Sequence, residues 1–160
     1  VFLANCGPWE EELPAPWRGG RGSLWEGGHR VPAIVAWKGR IPGGIVFPHL
    51  TSNLDLCPTL LAATGIRSES VKFDGLDLLP HFRQASAPPE RVLCWSYSGS
   101  RAARRGPWKY LLNRGPGPQG PQLFELNHDP AECENRFREN SRLAARMTAD
   151  LRAWESGMPT

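Results

Sequence analysis

The sequence predicts an α/β domain followed by a small antiparallel sheet that a C-terminal helix covers. Two apolar runs in the first half, Val1–Ala4 and Val31–Trp37, are typical of buried strands. Three β-type runs follow one another closely in the second half, which favours antiparallel pairing. Near the end of the chain, apolar residues recur at intervals of three and four, as on one face of a helix.

Length and composition allow one ordinary globular domain with a substantial core. The 160 residues are 40% apolar and include seven tryptophans. A net charge of +3 and a pI near 8.9 permit an anionic ligand without requiring nucleic acid or a membrane surface. No apolar run is long enough to span a membrane, and the N-terminus lacks the pattern of a signal peptide.

The start of the chain suggests that it was cut from something longer, because it opens directly on a strand-like run. Its four cysteines, Cys6, Cys57, Cys94 and Cys133, lie too far apart for a C-x-x-C zinc or redox motif. Their even number permits disulfides, and isolated buried thiols explain them equally well. The cellular compartment therefore stays open.

The first half is predicted to contain two strands, a long loop and a helix. A loop from Trp9 to Gly28 leads into Val31–Trp37, which we interpret as a second central strand. A helix should run from about Leu54 to Thr64, because Ser52 and Asp55 form a capping box and Gly65 follows. Its apolar positions should cover one face of the sheet: Leu56, Leu60 and Ala63.

The composition changes between Ser86 and Glu90, where Ala-Pro-Pro-Glu is typical of a linker. We therefore predict two domains, residues 1–85 and residues 86–160. The second should contain strands at Val92–Tyr97, Trp108–Leu112 and Gln122–Leu126. Its helix should begin after an N-cap at Ser141 and pack one face on the small sheet through Leu143, Met147, Leu151 and Trp154.

The stretch from Arg18 to Pro32 is the strongest functional signal, because it places cations among glycines ahead of an apolar run. Glycine lets backbone N–H groups approach an anion closely, and an arginine can bind two of its oxygens. The pattern predicts an anion-binding loop. Its Arg-Gly-Gly also occurs in RNA-binding tails, but those tails work by repetition and this copy stands alone, so nucleic acid is not expected as a partner.

The same stretch resembles the sulfatases of the alkaline-phosphatase-like superfamily, where it usually reads G-G-K-G-T-T-W-E-G-G-x-R-x-P. Arg21 stands where the family has lysine, and these residues match: Gly19, Gly20, Gly22, Trp25, Glu26, Gly27, Gly28, Arg30 and Pro32. Four more motifs follow in the family's order: D-L-x-P-T-L at 55–60, D-G-x-D-L at 74–78, G-x-W-K-Y at 106–110 and L-F-x-L-x-x-D-P at 123–130. Together they imply the C-terminal part of a sulfatase fold, with residues 1–85 ending the catalytic domain.

The resemblance implies hydrolysis of aryl or carbohydrate sulfate monoesters by the full-length protein. It makes Arg21 the catalytic and sulfate-binding residue. His29 is a second candidate substrate-binding residue, with a surface or satisfied polar residue as the alternative. Asn5 and Cys6 align with the D-N of the family's D-N-G-P, whose oxygens bind calcium, and are the candidate metal ligands. Glu26 is expected to be scaffolding that satisfies nearby donors, with Arg30 as one possible partner.

The chain departs from the family at these positions. An asparagine brings no negative charge and a cysteine sulfur is a soft ligand, so calcium binding should be weakened or lost. Arg21 stays protonated and is a poor proton donor to a leaving oxygen. The alternative is therefore a catalytically degraded module that binds anionic ligands or is purely structural, and phosphate ester hydrolysis is a third hypothesis.

The family's nucleophile is a formylglycine made within a [CS]-x-P-x-R motif, and these 160 residues contain no such motif. The resemblance therefore implies that the formylglycine lies upstream, and that the rest of the catalytic domain is the partner of this chain. The other expected partner is a sulfated small molecule or glycan. Members of the family are often secreted, periplasmic or lysosomal.

Overall fold

The computed structural model of the protein describes residues 1–9, 16–66 and 71–158. Residues 10–15, part of the loop predicted from Trp9 to Gly28, lie outside the described residues. The predicted mixture of helices and strands, with a small antiparallel sheet and a C-terminal helix, is confirmed.

The chain forms two compact units, each assembled from separate segments. The first contains Val1–Leu3 and Ala33–Glu90, and the second contains Ala4–Pro32 and Arg91–Thr160. The glycine-rich stretch therefore belongs to the unit that also holds the C-terminal half of the chain. The predicted division into domains at residues 85 and 86 stays a prediction.

The first unit contains a two-stranded antiparallel ribbon in which β1, Phe2–Leu3, pairs with β2, Ala33–Ile34. The prediction of Val31–Trp37 as a buried central strand is wrong, because β2 has two residues and Ile34 is 62% exposed. An apolar run indicates that a segment can be buried, but it does not show which strands will pair with that segment. It becomes a central strand only where strands pair on both sides, and among the described residues β1 is the only partner of β2.

The single-turn helix α1, Glu26–His29, precedes β2 in the chain, and after β2 a short 3-10 helix, Asn53–Asp55, leads into the capped helix α2, Leu56–Thr64. The predicted capping box is confirmed, since the N–H of Ser52 donates to the Asp55 carboxylate at 2.8 Å. Gly65 ends α2 with a φ of +74°, as predicted. The predicted burial of one helix face is wrong: α2 contains no fully buried residue, and Leu60 is half exposed.

Two of the sequence motifs meet at the start of α2. The buried Asp55 accepts the N–H of Leu76 at 2.9 Å, and the Thr59 hydroxyl accepts the N–H of Leu78 at 2.9 Å. A Cβ atom on Gly75 would lie only 2.0 Å from a backbone carbonyl oxygen in the 3-10 helix. These contacts join residues 55–60 and 74–78 into one local structure, and α3, Leu79–Gln84, follows directly.

The second unit is built on a four-stranded antiparallel sheet in which each strand pairs with the next along the chain. Its strands are β3 (Val92–Tyr97), β4 (Ser100–Arg105), β5 (Trp108–Asn113) and β6 (Gly120–Glu125). The three predicted strands are confirmed to within two residues at each end. The sequence pattern does not predict β4, because Ser-Arg-Ala-Ala-Arg-Arg lacks the β-branched and aromatic residues that indicate a strand.

The two faces of this sheet carry different layers. One face packs against α4, Ser141–Ser156, through Met147 and Leu151, and the other packs against Leu24 and Trp25 of the glycine-rich stretch. Alternation along the strands separates the two sets. Ala102, Leu111 and Phe124 face Leu24 and Trp25, whereas their neighbours Ala103, Tyr110 and Leu123 face α4.

The apolar face predicted for the C-terminal helix is confirmed, with Leu143 and Trp154 partly buried beside Met147 and Leu151. The N-cap is Asn140 rather than the predicted Ser141, which is the first residue of the helix. In the part of the chain that the structure describes, no helix combines the length and the apolar character needed to cross a bilayer.

The two methionines of the chain test the packing of α4 on the sheet. Met147 is fully buried, whereas Met158 is 48% exposed. Truncating Met147→Ala leaves a cavity between helix and sheet, so we expect it to lower the free energy of unfolding by about 3 kcal/mol. Met158→Ala should change it by less than about 0.5 kcal/mol. Urea denaturation measures both, and equal losses would contradict the assigned packing.

Candidate functional site

Backbone contacts between two loops fix the start of the glycine-rich stretch. The N–H of Arg21 donates to the carbonyl of Pro8 at 2.8 Å, and the N–H of Gly7 donates to the carbonyl of Gly28 at 2.9 Å. A side chain on Gly7 would displace the backbone, since a Cβ atom there would lie 1.8 Å from a carbonyl oxygen of the glycine-rich stretch. We call these joined segments, residues 4–9 and 18–28, the loop pair.

The loop pair presents the guanidinium of Arg21 to solvent beside a sulfur atom and an aromatic ring. The Nε of Arg21 donates to the Sγ of Cys6 at 3.0 Å. Its guanidinium carbon lies 5.3 Å from the ring centroid of Trp9, within range of a cation–π contact. The structure thus brings two predicted site residues together, and no described residue hydrogen-bonds the terminal nitrogens of Arg21. Asn5, next to Cys6, is exposed.

A buried cluster of charges lies where α1, Glu26–His29, meets the sheet. Glu26 is only 1% exposed, and its two carboxylate oxygens accept from Lys109 Nζ and from the Arg104 guanidinium, each at 3.0 Å. Arg104 and Lys109 lie directly opposite each other on β4 and β5, where like charges repel unless a counter-ion separates them. The hypothesis that Glu26 satisfies nearby donors is confirmed, and Arg30 lies 3.6 Å from it.

Lys109 is fully buried, and three polar atoms lie close to its ammonium group. They are Oε1 of Glu26 at 3.0 Å, Oε1 of Glu132 at 2.8 Å and Nε2 of His29 at 3.0 Å. The contacts with Glu26 and His29 are hydrogen bonds, whereas the contact with Glu132 is an ion pair whose Oε1 has no hydrogen-bond partner among the described residues. The other carboxylate oxygen of Glu132 accepts the backbone N–H of Glu26 at 2.6 Å, which ties α1 to the turn after β6.

The predicted substrate-binding residue His29 lies in this cluster. Its Nε2 faces Lys109 and also lies 3.3 Å from Glu26, while its ring meets the edge of Trp95 with centroids 4.8 Å apart. Burial, and then the charge of Lys109, lower the pKa of His29 below the ordinary 6.5. The imidazole is therefore neutral at pH 7, with Nε2 as an acceptor. A role for His29 in binding substrate stays a prediction.

The pKa of Glu26 is also shifted. Burial alone would raise the pKa of this carboxyl group, but the positive charges of Lys109 and Arg104 outweigh burial. The pKa consequently lies well below the ordinary 4.5. Glu26 is thus ionised throughout the neutral and mildly acidic range, as a counter-ion to two cations must be.

Sequence reasoning gave no role to the other members of the cluster, Arg104, Lys109 and Glu132. A lysine within the apolar run Trp-Lys-Tyr-Leu-Leu is a usable signal, because a buried lysine requires a buried anionic partner. Nothing in the pattern marks Glu132. Its place follows from a turn in which Asp129 accepts two backbone N–H groups and Glu132 itself has a φ of +55°.

The donor atoms of Asn5 and Cys6 fit calcium poorly. Calcium prefers several oxygens, some of them charged, whereas Asn5 offers a neutral oxygen and the sulfur of Cys6 already accepts from the cation of Arg21. Within residues 1–9, 16–66 and 71–158, no three His, Cys, Asp or Glu side chains come together to hold a metal ion. Metal binding by Asn5 and Cys6 stays a prediction, and this donor chemistry argues against it.

The four cysteines are free thiols in the structure. Cys6 and Cys94 are partly buried, and Cys57 and Cys133 are exposed. Of the two hypotheses drawn from the even cysteine count, disulfide pairing is therefore not realised, and the thiols are less buried than expected.

Known proteins resemble this chain over most of its length. Arylsulfatase G of Rattus norvegicus is 30% identical over 166 residues, a match that covers 82% of this chain and 32% of that protein. The solved structure of the PsFucS1 sulfatase from Pseudoalteromonas sp. is 27% identical, with a TM-score of 0.77 over 97% of this chain and 36% of that one. The chain belongs to the sulfatase family. It corresponds to the C-terminal part of a sulfatase, and the predicted fold class is confirmed.

A second solved structure is that of Ps i-CgsB in complex with k-i-k-neocarrahexaose. It is 30% identical, with a TM-score of 0.82 over 96% of this chain and 35% of that one. No protein-family model matches the chain. The chain spans 32% of the length of rat arylsulfatase G, so most of the length of that sulfatase has no counterpart here.

Removing the buried cation of the cluster should destabilise the second unit strongly. Lys109→Met leaves the carboxylates of Glu26 and Glu132 buried without their shared partner, so we expect a loss of about 4 kcal/mol in the free energy of unfolding. Lys38→Met, at an exposed lysine, is the matched control and should change it by less than about 0.5 kcal/mol. Comparable losses from both variants would show that Lys109 is not a buried counter-ion.

The lowered pKa of His29 predicts a dependence of stability on pH. As the pH falls below the ordinary 6.5, the unfolded chain takes up a proton at His29 before the folded chain does, so stability decreases with acidification. His29→Gln should flatten the slope between about pH 7 and pH 5 by up to about 1.4 kcal/mol per pH unit. The pKa of Glu26 lies well below this window, and burial raises the pKa of Glu132 above the ordinary 4.5, but Glu132 is present in the wild-type protein and in the variant alike.

The control for this pH prediction is His128→Gln, because the His128 side chain is 88% exposed. Urea denaturation at several pH values gives the slope for each variant. An unchanged slope in His29→Gln, or an equal change in both variants, would contradict the buried neutral state of His29.

Proposed function

We propose that this chain is part of a protein that hydrolyses sulfate monoesters, of the aryl or carbohydrate class, and that Arg21 binds the sulfate group. The observation that carries the proposal is the exposed guanidinium of Arg21 on the loop pair, whose terminal nitrogens donate no hydrogen bond to any described residue. Membership of the sulfatase family supports the reaction class. The match to Ps i-CgsB, solved with a carrahexaose, supports a carbohydrate ligand.

In the proposed reaction the S–O bond of the ester breaks, an oxygen from water ends on sulfur, and the alcohol leaves with a proton. The guanidinium of Arg21 can donate two parallel hydrogen bonds to sulfate oxygens and neutralise charge that develops as the bond breaks. An arginine stays protonated, so the proton on the leaving alcohol comes from a different group. The proposed reaction uses no metal ion bound to Asn5 or Cys6, because the donor atoms of these two residues fit calcium poorly.

The nucleophile must come from another part of the protein, since a [CS]-x-P-x-R motif is absent from these 160 residues. The family resemblance implies a formylglycine in that part. We therefore propose that the remaining catalytic domain is the obligatory partner of this chain, and that the 160 residues alone do not turn over substrate.

A second candidate function is an anion-binding module without catalysis. The contact between Arg21 and Cys6 favours it, because the family has a lysine and an asparagine at these two positions. Such a module would bind sulfate esters through Arg21 and release them unchanged. The upstream sequence discriminates between the candidates, since an in-frame [CS]-x-P-x-R motif with several aspartates favours the enzyme.

The proposal predicts that Arg21 controls sulfate ester turnover in the full-length protein. Arg21→Ala removes a charge-assisted contact to the sulfate group, so kcat/KM for an aryl sulfate should fall by about tenfold or more. Arg21→Lys keeps the cation and restores the residue of the family, so it should retain most of the activity. Arg142→Ala, at an exposed arginine on α4, is the control and should have no effect.

Two outcomes would change the proposal. An unchanged kcat/KM in Arg21→Ala would remove Arg21 from the site. Arg21-dependent binding of sulfate esters without turnover by the full-length protein would favour the binding module, and faster turnover of an aryl phosphate than of the aryl sulfate would favour phosphate ester hydrolysis.

A further inference from the structure

Two exposed aromatic side chains lie close to Arg21 in the loop pair, one beside its guanidinium and one beside the following residue, Gly22. Among the described residues, three aromatic side chains are more than half exposed, namely Phe2 at 58%, Trp9 at 57% and Tyr97 at 53%. Trp9 lies beside the Arg21 guanidinium, 5.3 Å from ring centroid to guanidinium carbon. Tyr97 lies beside Gly22, the residue that follows Arg21. A Cβ atom built on Gly22 would be 3.6 Å from the tyrosine hydroxyl oxygen and 3.9 Å from a ring carbon of Tyr97.

The two aromatic residues reach this place from different segments of the second unit. Trp9 belongs to the first loop of the pair, and Tyr97 ends strand β3. Tyr97 is followed by Ser98 and Gly99, whose φ values of +45° and +81° are those of a tight two-residue hairpin turn. The hairpin is braced at its other side, where Ser100 accepts the backbone N–H of Arg114 at 2.9 Å. The backbone of Tyr97 thus lies at the end of a strand, next to a tight turn, rather than in a long loop.

An aromatic ring beside a cation suits a particular class of ligand. Tryptophan and tyrosine offer large, rigid apolar faces that lose little conformational entropy when a ligand packs on them. Ligand sites commonly combine such faces with a few polar groups that fix the orientation of the ligand. Here the cation of Arg21 would take the anionic group, and the two rings would contact the body that carries it. An inorganic or acyclic sulfate would use only the cation.

We propose that Trp9 and Tyr97 are substrate-binding residues that select sulfate esters carried on a ring, either an aromatic ring or a sugar. The inference rests on the proposed function, because it takes the sulfate group of the substrate to lie on Arg21. It adds two residues that the sequence motifs do not mark, and it predicts a preference for ring-bearing over acyclic ligands.

Sulfonates test this preference without turnover, because their C–S bond is not hydrolysed and their charge equals that of a sulfate monoester. Dissociation constants would be measured by calorimetry on the full-length protein with methanesulfonate, benzenesulfonate and 6-sulfoquinovose. These represent an acyclic, an aryl and a sugar ligand, so the last two also distinguish the two kinds of ring. We expect at least one ring-bearing ligand to bind about tenfold more tightly than methanesulfonate.

The variants separate the aromatic residues from the cation. Tyr97→Ala and Trp9→Ala should each weaken the preferred ring-bearing ligand by about fivefold and methanesulfonate by less than about twofold. Tyr97→Phe and Trp9→Phe keep a ring and should retain most of the preference. Arg21→Ala should weaken all three ligands by about tenfold. Thermal unfolding checks that each variant is folded.

The outcomes distinguish this inference from the function on which it rests. If Arg21→Ala weakens every ligand while both aromatic-to-alanine variants leave the ring preference intact, Trp9 and Tyr97 are not binding residues and the proposed function stands. If Arg21→Ala changes the affinity for no ligand, Arg21 does not bind the anionic group and both proposals are wrong. If the wild-type protein binds no sulfonate at millimolar concentration but hydrolyses the aryl sulfate in an Arg21-dependent way, the inference about the two aromatic residues alone is wrong. Equal wild-type affinity for all three ligands would overturn the ring preference alone.

Discussion

The second unit depends on one carboxylate, that of Glu26, between two cations on adjacent strands. Arg104 and Lys109 are a directly opposed pair in the sheet, and both are drawn away from water. Moving charges out of water is unfavourable by several kcal/mol for each ion unless geometry and hydrogen bonds compensate. Glu26 supplies one oxygen to each cation, and Glu132 completes the environment of Lys109. Through Glu26, the W-E-G-G motif therefore attaches the glycine-rich stretch to the sheet.

The contacts of Glu26 explain why one predicted site residue, Arg21, is exposed and another, His29, is buried. Arg21 lies in a part of the stretch that the loop pair holds at the surface, and its guanidinium contacts Cys6. His29 follows Glu26 on the same turn of helix, where the Lys109 ammonium group hydrogen-bonds its Nε2 atom. Fixing the buried end of the stretch leaves the exposed end in one position, which is the condition under which a surface arginine can bind an anion with little loss of entropy.

Local patterns predicted most of the elements, and tertiary context explains the rest. The capping box at Ser52, the Gly65 terminus and the apolar face of α4 depend on neighbours a few residues away, and these predictions are confirmed. Strand β4 and the burial of β2 depend on which segments pair, and periodicity does not reveal pairing. The charged cluster brings together residues about 80 to 106 positions apart in sequence, so no local pattern contains it. Arg21 can be predicted because glycines next to an arginine form a local pattern that indicates an anion site. Trp9 and Tyr97 belong to no such pattern, and only folding brings them near Arg21.

Loops that carry function are usually the most mobile and most replaceable parts of a domain. The loop that contains Gly7 differs, because Gly7 lies too close to the carbonyl oxygen of Gly27 for any side chain to fit. Two backbones in such close contact leave no room for a side chain at Gly7, so a substitution there has to move one segment away from the other. The backbone beside Arg21 is consequently packed as closely as an interior segment, and an insertion at Gly7 or Gly27 has to break the contact that joins the two segments.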